Sequence, residues 1–79
     1  MRKLDDDDIE LKRRIALRIK ALRKDTGKKM TEFAKDNYKD KQSQSRWEKE
    51  GASIFTINKL CKELGISLSN FFDDPIFRR

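Results

Sequence analysis

The sequence predicts an all-α domain of five helices, and three observations lead there. Apolar residues recur at spacings of three and four, the period of one helix face. No segment alternates apolar and polar residues over a useful length. Gly, Ser and Asp stand at the breaks between the periodic stretches, where helices stop and start. With 79 residues the chain makes one small domain with little core to spare. Charged residues make up 43% and hydrophobic ones 35%, close to the polar limit for a globular chain. One Pro and three Gly argue against a Pro/Gly-rich disordered composition.

Taken in order, Asp5 to Asp8 precede Ile9-Glu10-Leu11. Anions at a helix start are favoured by the macrodipole and by N-capping, so residues 1–8 read as an acidic arm leading into a capped helix. A metal site would need convergent ligands from elsewhere in the chain, and the sequence points to none. Leu11, Ile15, Ile19 and Leu22 form the stripe of a first amphipathic helix over about 8–25, ended near Gly27. Met30, Phe33 and Ala34 make the apolar side of a short second helix. Asn37-Tyr38-Lys39-Asp40 reads as a turn, with Asp40 capping a third helix over about 40–49. Gly51-Ala52-Ser53 breaks that helix, and Ser53 caps a fourth whose stripe is Ile54, Ile57, Leu60, Cys61 and Leu64, closed by Gly65. Ser67 caps a fifth carrying Leu68, Phe71 and Phe72, stopped by Asp73-Asp74-Pro75; residues 73–79 read as a tail.

The net charge of +6 is unevenly spread. Residues 1–10 carry −3, 11–29 carry +8, 30–50 balance, and 51–79 carry +1. A basic block of this size fits nucleic acid or an anionic surface, and equally a solvated helix face. No apolar run approaches a membrane span, and the charged start has no signal-peptide core. The single cysteine has no internal disulfide partner. Together these lead us to expect a cytoplasmic chain. There is no His and no phosphate-cradling Gly-rich loop, and Cys61 lies on an apolar stripe, so an enzyme is not expected, nor any cofactor or metal.

The stretch Lys41-Gln42-Ser43-Gln44-Ser45-Arg46-Trp47-Glu48 is chemically distinctive. Its polar side chains are amides, hydroxyls and cations rather than the Glu/Lys mixture that keeps a helix soluble. Such groups form the donor and acceptor patterns that match base edges in a DNA major groove.

The order of parts over residues 15–72 resembles the lambda-repressor-like, Cro/CI-type (XRE-like) helix-turn-helix family. The resemblance rests on Arg18-Ile19-Lys20-Ala21-Leu22-Arg23 in the first helix, Phe33-Ala34 in the second and Ser45-Arg46-Trp47-Glu48 at the end of the third. Leu60-Cys61-Lys62-Glu63-Leu64-Gly65-Ile66-Ser67-Leu68 at the end of the fourth completes it. Each motif alone is weak; four in order at the right spacing make a strong signal. The resemblance implies a compact DNA-binding domain over 9–72, with Arg23 and Glu48 as an ion pair tying the first helix to the third. It further implies that Lys41, Gln42, Ser43 and Arg46 face base edges. Lys28, Lys29, Lys39, Ser45 and Lys49 are the matching candidates for the phosphate backbone. The sequence departs from the family at Asn37, Tyr38 and Lys39, and at Gln44, where a β-branched core residue is usual. Either Tyr38 and Trp47 supply the missing apolar volume, or the turn differs by one residue and the register within 37–45 shifts. A Gln at position 44 must be hydrogen-bonded or exposed.

The function implied is a sequence-specific transcriptional regulator, a small bacterial or phage repressor, acting on double-stranded DNA with a near-palindromic operator. Such proteins commonly bind as homodimers, and Leu68, Phe71, Phe72, Ile76 and Phe77 are the candidate dimer surface; the same residues can instead cap the small core. No small-molecule ligand is expected. The rival reading is a protein-interaction module or antitoxin with the same fold and little or no DNA binding of its own.

Overall fold

The computed structural model describes residues 5–36 and 41–78. Asp5 accepts a hydrogen bond from the Asp8 N–H at 2.9 Å and opens α1 (Asp6–Asp25), whose first turn holds Asp6, Asp7 and Asp8. The helix therefore reaches back into the stretch read as an acidic arm. After it come α2 (Met30–Asp36), α3 (Lys41–Glu50), α4 (Ile54–Leu64) and α5 (Leu68–Phe72). Among the described residues there is no strand, and the fold is all-α. Ser53 caps α4 by accepting from Thr56 N–H, and Ser67 caps α5 by accepting from Asn70 N–H, both as expected. Gly65 ends α4 in the left-handed region at φ 74°, where a glycine carries no Cβ penalty. The turn and cap expected of Asn37, Tyr38, Lys39 and Asp40 lie outside the described residues.

The core is Ile19, Phe33, Ile57, Leu60, Cys61 and Phe71, with Ile15, Leu22, Trp47, Leu64 and Leu68 packed around it. One residue of each expected stripe falls off this core. Leu11 is 48% exposed, at an open cleft that it lines with Phe72 and Phe77. Ile54 is also exposed, at the first turn of α4. Helical period selects the apolar side of a helix but not how far along the axis a partner extends.

The chain end is folded back rather than free. Asp74 caps a 3₁₀ turn at Pro75–Phe77 that packs against α1. Arg18 of α1 holds this segment: Nε donates to the Phe71 carbonyl at 2.8 Å, Nη2 to the Asn70 carbonyl at 3.2 Å and Nη1 to Asp74 Oδ2 at 3.1 Å. A guanidinium there satisfies the Phe71 carbonyl at the end of a five-residue helix and adds a second donor to the Asn70 carbonyl, which also accepts from Asp73 N–H. Phe71, Phe72 and Phe77 form an aromatic cluster with centroids 4.9 to 6.1 Å apart. Phe71 is 1% exposed and belongs to the core, so it has no surface to give to a dimer. Leu68, Phe72, Ile76 and Phe77 are half-buried.

Candidate nucleic-acid interface

The third helix has two chemically different faces, and the inner one is set by a buried polar cluster. Gln44 and Glu48, four residues apart and so stacked on one side, both point inward. Arg23 from α1 meets Glu48 as a fork, Nε to Oε2 at 2.7 Å and Nη2 to Oε1 at 3.0 Å. Its remaining Nη1 donates to the Lys28 carbonyl at 3.1 Å. One guanidinium thus joins the end of α1, the α1–α2 connection and α3. Gln44 Nε2 donates to Glu48 Oε2 at 2.7 Å, so that carboxylate receives three hydrogen bonds. Gln44 is 0% exposed, and its Oε1 finds no partner among the described residues. The amide replaces apolar core volume with a donor that completes the Glu48 cage, at the cost of one orphaned acceptor. Trp47, half-buried beside this cluster, packs on the core.

Gln42, Arg46 and Lys49 succeed one another at four and three residues and share the outer face. With Lys41, Ser45 and Glu50 they line an open trough along α3. Lys41, Gln42, Arg46 and Lys49 are exposed and make no side-chain hydrogen bond or ion pair to any described residue. Residues 30–50 are neutral by sequence, but folding separates the signs on α3. Glu48 is turned inward and neutralised by Arg23, which leaves Lys41, Arg46 and Lys49 facing outward against the single carboxylate of Glu50. An amide between cations on an exposed helix face can pair with base edges, and the cations themselves can pair with guanine edges or with phosphates.

The remaining expected site residues fall in three places. Ser43 is half-buried and already engaged by another group, so it flanks the outer face rather than lying on it. Ser45 is half-buried at the trough's other edge. Lys28 and Lys29 are exposed immediately before α2, and the Lys29 carbonyl accepts from Phe33 N–H at 2.9 Å as that helix begins. Lys39 lies outside the described residues.

Reading the sequence placed Arg18 in the first-helix motif but missed its role, which is identified only by its partners 52 to 56 positions away. Cys61 is buried in the core, and burial pushes its thiol up from the ordinary value, away from the reactive thiolate. Among the described residues no group of three or more His, Cys, Asp or Glu is placed to hold a metal ion, and no helix is long and apolar enough to cross a membrane. Compared with models of protein families, with curated proteins and with solved structures, the chain matches none of them.

Proposed function

We propose that this chain is a sequence-specific DNA-binding regulator, a small cytoplasmic repressor with a lambda-repressor-like helix-turn-helix, reading the major groove with the outer face of α3. The observation that carries the reading is the division of α3. Its inner face is locked by the Arg23–Glu48–Gln44 cluster, and its outer face presents Lys41, Gln42, Arg46 and Lys49 with their donors uncommitted among the described residues. Gln42 is suited to adenine N6/N7 and Arg46 or Lys41 to guanine O6/N7. Lys28, Lys29 and Lys49 add sequence-independent contacts to phosphates. Leu68, Phe72, Ile76 and Phe77 remain the surface for a homodimer on a near-palindromic site, with Phe71 withdrawn from it.

A second reading draws on Phe55, 83% exposed beside the exposed Ile54 at the start of α4. Two neighbouring apolar side chains in water favour a protein partner, as in an interaction module or antitoxin.

The test selects preferred duplexes from a randomised pool and compares Gln42→Ala and Arg46→Ala with the parent on the selected and a scrambled duplex. Each variant should lose about 10- to 100-fold on the selected duplex, equivalent to about 1–3 kcal/mol for a bidentate base contact. Gln42→Ala should bind the scramble as the parent does. An equal loss on both duplexes, or none on either, contradicts base reading by this face.

A further inference from the structure

The end of α3 rests directly on the backbone of α1. Gly51 has φ 87°, and a Cβ built there would lie 2.8 Å from the Lys12 carbonyl oxygen. Only a residue without a side chain permits this approach. Its consequence is that the Lys12 side chain, from a different helix, borders the outer face of α3. One cleft at the junction is lined by Lys12 with Arg46, Trp47 and Glu50, and a second by Lys12 and Arg13 with Lys49 and Glu50. Arg13 is already committed. Its Nη2 donates to Glu10 Oε1 at 2.6 Å, and this bond, with that from Arg14, holds the Glu10 carboxyl down at about 2. Lys12 is exposed, and its side chain has no hydrogen bond or ion pair to any described residue.

We infer that Lys12 is a phosphodiester contact, extending the nucleic-acid interface from α3 onto α1, with the neighbouring Glu50 carboxylate as a counter-charge that weakens it. The inference rests on the DNA-binding reading of α3 and adds an anchor outside the helix-turn-helix elements. A lysine on a four-carbon stem suits it: a compact, strongly charged donor that can track a phosphate without fixing base identity. The Gly51 junction fixes where the stem begins relative to Arg46 and Lys49, so backbone and base contacts keep one register. Glu50 lines both clefts, so it lies close enough to Lys12 and Lys49 to offset part of their attraction for an anion. It thereby limits sequence-independent binding.

The experiment measures affinity for selected and scrambled duplexes over a salt series, for the parent, Lys12→Gln, Glu50→Gln and Lys62→Gln. Lys62 is an exposed lysine of α4 that lines neither cleft, and its variant carries the same charge change. Lys12→Gln should reduce the slope of log affinity against log salt by about 0.9, one phosphate contact, and weaken both duplexes by the same factor. Glu50→Gln should tighten both, and Lys62→Gln should keep the parental slope. If the parent discriminates between duplexes while Lys12→Gln keeps its slope, or Lys62→Gln loses as much, the inference fails and the DNA-binding reading stands. If the parent binds neither duplex, both fall.

Discussion

Arg23 gives its three donor nitrogens to two parts of the chain, Glu48 and the Lys28 carbonyl, and the cost of losing it depends on the groups left behind. Arg23→Ala leaves the Glu48 carboxylate buried with only the Gln44 amide, and Glu48→Ala leaves the guanidinium facing that amide and one carbonyl. We expect each single variant to lose about 3–5 kcal/mol of unfolding free energy, because a buried charge is left without its partner. The double variant should lose less than the sum, with a coupling of about 2 kcal/mol in a denaturant-unfolding cycle. Additive losses would mean that the fork does not hold in solution. At this scale the sequence was informative where the family resemblance implied a pair, Arg23 with Glu48, and where an amide at a position that resemblance makes a core one, Gln44, required a partner. It was uninformative for Ser43 and Phe71. Their neighbours at one and two positions differ in burial, and only the packed helices decide which side each takes.

Among the elements, the junction of α3 with α1 is the most demanding, and it turns on Gly51. Its positive φ alone makes Gly51→Ala cost about 1–2 kcal/mol. Gly65→Ala should cost that much and no more, since its φ is also positive but a Cβ there meets nothing within 4 Å. At Gly51 the added methyl must also push back the Lys12 carbonyl, which as helix backbone cannot swing away. Thermal unfolding should therefore place Gly51→Ala clearly below Gly65→Ala in stability. Equal losses would mean that α1 and α3 are not in backbone contact. The caps Ser53 and Ser67 and the stop at Gly65 were legible because each is a local hydrogen-bonding rule. The starting turn of α1 was placed late, since four consecutive Asp allow more than one N-cap. The folded-back end was not legible at all. Asp73-Asp74-Pro75 signals a break, but the Arg18 fork that fastens the segment beyond it depends on a helix more than 50 residues away.

For the molecule as a whole, folding rearranges charge more than the sequence indicates. The block of +8 over residues 11–29 is partly spent on Arg23 and Arg18, which are held by Glu48 and Asp74. Arg13 and Arg14 are held by Glu10. What remains exposed and uncommitted among the described residues includes Lys12, Lys41, Arg46 and Lys49, with Lys12 bordering clefts shared with Arg46 and with Lys49. The all-α class and the order of helices were readable from period and caps. The net positive charge of the α3 outer face was not readable from composition, because residues 30–50 balance; it followed only from the resemblance that pairs Glu48 with Arg23. The central claim is that this face binds DNA by sequence. It is tested most directly by titrating the purified chain, over a range of salt, onto the DNA upstream of its own coding sequence and onto a scrambled duplex. Affinity should fall steeply with salt on both, and binding to the upstream DNA should be tighter by about 10³-fold or more. Equal affinity for the two duplexes would contradict base reading by α3.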